Sequence, residues 1–332
     1  MNTKTGQILK ERIFSVSEEE AFETLALDVF RFQHGGCSVY RRFCDALDVD
    51  VNAVQTIKDI PFLPVELFKK HRIVSFPGDE AVAFSSSGTT GSMPSRHYIY
   101  DLGIYEKSFL QSFRLFYGNP ADYCILALLP AYLERKGSSL VYMADRLIQA
   151  SDHPLSGFYL DELDKLSANL EHLMAEGQKV LLLGVSFALL DLAEQHPMTL
   201  RNTIIMETGG MKGRRREMIR AELHQVLCDA FDQKAIHSEY GMTELLSQAY
   251  STGDGLFVTP PWMRILIRES NDPLAYLAVG RTGGVNIVDL ANLYSCSFIA
   301  TQDLGRLHPD GAFEVLGRFD NSDVRGCNLM IC

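Results

Sequence analysis

The chain has 332 residues, 46% apolar and 22% charged, a globular balance that allows a sizeable core in one large α/β domain or two lobes. Its 31 basic against 42 acidic residues give a formal net charge of −11, which disfavours nucleic acid; the one basic run, KGRRR at 212–216, is short. No apolar run reaches membrane-spanning length, and the seven cysteines contain no C-x-x-C pair, which argues against a disulfide framework or a zinc site.

The N-terminal segment lacks the apolar core of a signal peptide, so a reducing, cytoplasmic compartment is expected. From Ser15 to about Lys69 the pattern is mainly helical, and Ser17 with Glu20 three residues on has capping-box spacing. Pro61 and Pro64 mark an irregular passage that leads to a short strand over 81–84. The middle then alternates. Strands are expected over 123–129, 179–183 and 203–206, and helices over 139–148, 187–195 and 215–228. That alternation predicts an α/β fold with a mostly parallel sheet flanked by helices. From about Gly255 short β-like runs alternate with Gly, Asp and Pro turns, the texture of an antiparallel β region. The expected division is an α/β lobe with a helical N-terminal part over 1–254, a β-rich subdomain over 255–320, and a tail over 321–332.

The run SSSGTTGS at 85–92 follows a short apolar strand. Small residues let the backbone approach a polyanion, and hydroxyls with free N–H groups supply donors, so Ser86, Ser87, Gly88, Thr89, Thr90 and Gly91 are candidate phosphate contacts. It is not a Walker A loop, since no Gly-Lys-Ser/Thr follows. Gly209 and Gly210, in IMETGGMK, would let a flat ring lie against the backbone, or serve a strand-to-helix turn that needs positive φ. Glu244, in HSEYGMTE, has an alternative reading as the acidic first turn of a helix continuing into LLSQAY.

Taken in order, SSGTTG, ETGGMKG, HSEYGMTE, TQDLG (301–305) and GRFD (317–320) resemble the signatures of the adenylate-forming superfamily. The LuxE-type acyl-protein synthetase family is the most similar branch, with phenylacetate-CoA ligases as its relatives. The resemblance runs from about residue 80 to the end, and more loosely before that. The resemblance implies use of ATP and Mg²⁺. It places Gly209 and Gly210 at an adenine pocket, and Tyr240, followed by Gly241, against the base. Thr243 contacts the α-phosphate and Glu244 holds magnesium, a set suited to neutralising charge on a phosphate under attack. Asp303 accepts from the ribose hydroxyls, and Arg318 contacts the nucleotide. Gly184, Val185 and Ser186 resemble an acyl-pocket segment.

Three departures accompany the resemblance. SMPSR stands where the family loop continues Pro-Lys-Gly, Gln302 replaces a glycine, and the superfamily's small C-terminal domain is expected to be absent. On the LuxE pattern, Cys327 accepts the acyl group, with Arg325 favouring its thiolate. The implied activity is an acid–thiol ligase that converts a carboxylic acid, a fatty acid as the expected class, to acyl-AMP and then to a protein thioester. An acyl reductase or acyl-carrier protein is the implied partner. Two other readings use the same residues: an acyl- or aryl-CoA ligase, and a non-catalytic subunit that binds nucleotide or acyl groups.

Overall fold

Two apolar runs set the frame of the middle of the chain. In the computed structural model, which describes residues 3–76, 78–86, 93–129, 137–160, 162–209 and 218–319, Cys124–Leu128 and Val180–Val185 are strands buried along their whole length. A strand covered on both faces shows no in–out alternation, so it reads as a continuous hydrophobic run. Thr203–Thr208 and His237–Tyr240 continue the parallel pairing, Gly157–Phe158 lies on one edge, and Ala249–Ser251 pairs antiparallel on the other. Helices Leu102–Tyr117, Ser139–Ser151, Leu163–Ala175, Ser186–Gln195 and Arg220–Phe231 alternate with these strands. Their ends are set locally: Asp101 and Ser138 accept from the backbone N–H of Gly103 and Val141, and Asp152 and Asp232 stop helices in the left-handed region. Because the strands are parallel, Leu128, Val185, Thr208 and Tyr240 end on one edge, the edge at which open α/β sheets hold ligands.

These elements, with the antiparallel hairpin of Val82–Ser85 and Arg96–Ile99, form one compact unit, residues 79–260. The other unit joins 1–78 to 261–332. It contains helices Thr3–Ile13, Glu19–Gly36 and Ser38–Ala46. Strands Met263–Arg268, Thr282–Asp289, Phe298–Leu307 and Phe313–Arg318 follow one another antiparallel, and Leu63–Pro64 pairs parallel with the third. The β texture expected after Gly255 is therefore present. The grouping differs from a simple cut near 254, because the first 78 residues join the late strands.

The reason is visible in one helix. Glu19–Gly36 buries Phe22, Leu25, Ala26, Val29, Phe30 and Gln33 on a single stripe at helical spacing. Phe30, Tyr40 and Phe62 ring Phe298, with centroids 6.3, 6.3 and 6.0 Å away. The amide of Gln33 reaches across 264 residues. Its Nε2 donates to the carbonyls of Asn292 and Leu293 and to Ser297 Oγ at 2.9–3.0 Å, and its Oε1 accepts from Ser297 N at 2.9 Å.

Two local expectations are corrected. The helix begins at Glu19 with Glu18 as its cap residue and no side-chain cap bond, so Ser17 and Glu20 form no capping box; Glu19 and Glu20 complement the helix dipole instead. The helix expected over 215–228 begins at Arg220, since 218 and 219 are not helical.

Replacing Gln33 by Leu keeps the volume but strands several buried polar groups. A loss of about 3 kcal/mol or more is expected, read as a lower urea midpoint at unchanged m-value. An unchanged midpoint would show that the amide does not tie the helix to these strands.

Candidate functional site

The residues on either side of the serine-rich run are bonded to each other and form a closed neck. Ser85 N donates to Gly137 O at 2.8 Å, Ser86 N donates to Ser95 O at 3.1 Å, and Ser86 Oγ accepts from Ser95 N at 2.9 Å. Gly137 sits at φ +92°, where a Cβ would come 3.1 Å from Ala83 O. Of the expected phosphate contacts, Ser86 is in this neck; Ser87, Gly88, Thr89, Thr90 and Gly91 lie outside the described residues. Two residues past the neck, His97 is fully buried and its Nδ1 lies 2.8 Å from Thr243 O. A carbonyl only accepts, so Nδ1 carries the proton and donates. Burial lowers the His97 pKa to about 4, against the opposing pull of that bond, so the ring is neutral at physiological pH.

At the strand ends, three segments converge on one carboxylate. Glu207 accepts from Ser186 Oγ at 3.3 Å and from Arg220 Nε at 3.3 Å, with His224 Nε2 3.7 Å away. The one Ser186 hydroxyl proton is shared with Gly209 O at 3.0 Å, a tie to the turn where Gly209 adopts φ +66°. The positive-φ reading of Gly209 therefore holds, while Gly210 lies outside the described residues. Gly184 and Val185 are buried at the same strand end, and a Cβ on Gly184 would come 2.7 Å from Leu189 Cγ. These positions serve close strand–helix packing, and the Ser186 hydroxyl is engaged by Glu207 and Gly209.

In the adjacent strand, Glu239 Oε2 accepts from Thr208 Oγ1 at 2.5 Å, and a Cβ on Gly241 would run into Glu239 Oε1. Glycine at 241 thus leaves room for that carboxyl. Tyr240 packs on Phe257 with centroids 5.8 Å apart, and Arg220 lies over the same Phe257 ring. Thr243 and Glu244 occupy a turn closed by Leu245 N donating to Met242 O at 3.0 Å. Glu244 is buried. No helix follows: the chain runs into Ala249–Ser251, whose backbone bonds go to His237–Tyr240, so the helical reading of LLSQAY does not hold.

The two buried carboxyls are driven apart. Burial acts to raise Glu207, but the His224 hydrogen bond and the Arg220 charge outweigh it and hold the group below the usual carboxylate range. Glu239 is raised to about 7 by burial, with the neighbouring Glu207 charge adding to the effect and the Thr208 bond opposing it.

The unit of residues 1–78 and 261–332 holds Asp303 and Arg318. Asp303 Oδ1 accepts from Arg318 Nε at 3.1 Å, and Asp303 N donates to Thr301 Oγ1 at 3.1 Å. Beneath them, Arg268 is buried and donates to Val285 O and Asn286 Oδ1 at 2.8 Å and to Thr301 O at 2.6 Å, with Phe319 over its guanidinium. Gly284 makes the room, since a Cβ there would lie 2.5 Å from Arg268 Cζ. Gln302, the departure from the family glycine, donates to Glu66 Oε1 at 2.5 Å. Cys327 lies outside the described residues.

Sequence reasoning did not single out His97, Glu207, Glu239 or Arg268. Each lies beside a motif, yet each is defined by a partner elsewhere in the chain. Among the described residues no group of three or more His, Cys, Asp and Glu side chains could hold a metal ion. Also among the described residues, no helix is long and apolar enough to cross a membrane.

The sequence model of the acyl-protein synthetase LuxE family matches residues 4–107. The long-chain-fatty-acid–luciferin-component ligase of Vibrio harveyi is 23% identical over 343 residues, 95% of this chain and 89% of that protein. The ligase of the same name from Photorhabdus luminescens is 39% identical over 75 residues, 22% of this chain and 64% of that protein. The open conformation of 2-hydroxyisobutyryl-CoA ligase, solved with 2-HIB-AMP and CoA, matches with a TM-score of 0.69 at 14% identity, covering 92% of this chain and 72% of that one. At that identity the likeness is one of fold, and it supports the α/β architecture expected from the alternating pattern. The chain spans about half the length of the ATP-bound RpMatB–BxBclM chimeras it also matches.

Two outcomes follow from the buried charges. With Glu239 protonated up to about pH 7 in the folded chain but ionised above 4.5 when unfolded, the folded state holds the extra proton in that window. Stability therefore falls as pH rises through it, by ~3 kcal/mol in all. Glu239→Gln should match wild type near pH 4 and exceed it at pH 8 in urea unfolding; parallel pH profiles would overturn the assignment. Gly284→Ala should displace Arg268 and cost about 2–3 kcal/mol, measured the same way, with a neutral effect showing that the guanidinium does not depend on that space.

Proposed function

We propose that the chain is an acyl-protein synthetase of the LuxE type, as the match of residues 4–107 and the two luciferin-component ligases support, and that it activates a fatty acid with ATP and then carries the acyl group on its own Cys327. In the first step a carboxylate oxygen attacks the α-phosphorus, the acyl-AMP bond forms, and pyrophosphate leaves. In the second the Cys327 thiolate attacks the acyl carbon and AMP leaves, giving a thioester. An acyl reductase or a carrier protein is the onward acceptor, in a reducing, cytoplasmic compartment.

The observation that carries this reading is the turn at the end of the His237–Tyr240 strand. It sets Thr243 beside a buried Glu244, and His97 holds its backbone. Thr243 donates to the α-phosphate, better in the transition state than in ground-state ATP. Glu244 would hold a magnesium ion, which would supply positive charge against the phosphate under attack. Ser86, Ser87, Gly88, Thr89, Thr90 and Gly91 donate to phosphate oxygens. Tyr240 and Gly241, with Gly209 and Gly210, receive the adenine. Asp303 accepts from the ribose hydroxyls, and its bond from Arg318 keeps a charged donor beside it. Gly184, Val185 and Ser186 border the acyl chain.

ATP–pyrophosphate exchange, run over a panel of fatty and aromatic acids with intact-mass analysis of each sample, tests this. Acid-dependent exchange with a matching mass gain is expected. Cys327→Ser should keep exchange and lose the gain, while Glu244→Gln should lose at least ~100-fold in exchange with little change in unfolding midpoint. Exchange without a mass gain, with the label leaving on CoA, would replace the reading by a CoA ligase. No exchange with any acid would leave a binding subunit.

A further inference from the structure

The hairpin that bears the serine loop and the turn that bears Thr243 are distant in sequence, yet one side chain joins them. His97 and Thr243 are 146 residues apart and share a 2.8 Å hydrogen bond. We infer that His97 is a positioning residue for adenylation: its Nδ1–H holds the Thr243 carbonyl, and so aims the Thr243 hydroxyl, in fixed register with the neck of the serine loop. This role rests on the proposed activity and goes beyond it in adding a residue outside the recognised motifs.

The hairpin is a rigid place to anchor from. His97 lies opposite Phe84 in the strand pairing, and Phe84 is buried against Tyr105 and Tyr142, with ring centroids at 5.6 and 5.7 Å. The neck bonds of Ser85, Ser86 and Ser95 close the hairpin one step further along. The turn, by contrast, has little regular structure of its own. Had a helix followed Thr243, its carbonyl would accept from the N–H four residues on. Instead the chain extends into Ala249–Ser251, and the His97 imidazole supplies a donor to a carbonyl that secondary structure does not use. A planar ring with a fixed tautomer limits where that carbonyl can sit. Small misplacements of a reacting constellation cost rate steeply, about 100-fold for 1 Å.

Three variants separate donor position from mere bulk. Asn places its amide N–H near the Nδ1 position, Gln places it near Nε2, and Ala removes it. In ATP–pyrophosphate exchange, His97→Asn should stay within about 3-fold of wild type, while His97→Ala and His97→Gln should lose about 10–100-fold in kcat with little change in KM for ATP. In a Thr243→Val background, where the aimed hydroxyl is gone, His97→Ala should add less than about 2-fold. Nitrogen-15 spectra of histidine-labelled wild-type protein should show His97 as a neutral Nδ1–H imidazole, a readout independent of turnover.

Equal activity of the Asn and Gln variants, full multiplication of the two losses in the double variant, or an Nε2–H tautomer would each overturn the role. If His97→Ala fails to fold, the Asn and Gln pair still decides. An active wild type with an indifferent His97→Ala sinks this role alone, whereas a wild type without exchange for any acid sinks the adenylation reading and the role with it.

Discussion

A carboxylate buried at the end of a parallel strand must be given donors, and the unit of residues 79–260 is organised by how Glu207 obtains them. Ser186 comes from the start of the helix after the neighbouring strand, and Arg220 and His224 come from the first turns of the helix after its own. One side chain therefore fixes two strand-to-helix junctions relative to each other. Through Ser186 it also fixes the Gly209 turn. The donors that surround Glu207 account for its ionised state, and its charge in turn helps to keep the adjacent Glu239 protonated. A negative and a neutral carboxyl can then stand in adjacent strands without repulsion.

The other unit solves the converse problem with a cation. Carbonyl and amide oxygens of Val285, Asn286 and Thr301 satisfy the buried Arg268 guanidinium. That arrangement draws two strands together at the register shift between Gly284 and Asn286 and steadies the segment from Thr301 to Asp303. Gln302 adds a second tie through Glu66, which gives the departure from the family glycine a structural use. Asp303 is thus held from both sides of its strand, by Thr301 beneath its amide and Arg318 on its carboxylate.

Much of this was legible in the sequence, and what was not has a common cause. CILAL and VLLLGV announced buried parallel strands because burial on both faces leaves only apolar residues to choose from. The β runs after Gly255 were legible through their turn residues, and the motifs from SSGTTG to GRFD pointed to the family. The family match nonetheless begins at residue 4, in a helical segment where no motif was recognised. Residues whose meaning lies in a distant partner were invisible: His97 reads as any histidine until Thr243 is beside it, and Gln33 as a polar interruption of an apolar stripe until Ser297 is reached. The same non-locality explains why the first 78 residues could not be assigned to the late strands. Capping failed at Ser17 because three consecutive glutamates offered the helix an alternative start, and LLSQAY misled because its backbone bonds are satisfied by a strand rather than within a helix.

The discontinuous unit has a consequence for synthesis. Helix Glu19–Gly36 emerges from the ribosome with Phe22, Leu25, Val29, Phe30 and Gln33 on one face, but its partners around Phe298 are made more than 250 residues later. At ordinary elongation rates that interval is on the order of tens of seconds. Residues 79–260 form a compact unit wholly within it and can fold meanwhile. The nascent chain thus carries an apolar helix face without its late partners, tethered to a finished domain, until the strand that bears Phe298 has been made. Slowed translation between residues 261 and 298 would lengthen that exposure, and holding chaperones would find their substrate at the N-terminus rather than at the newest residues.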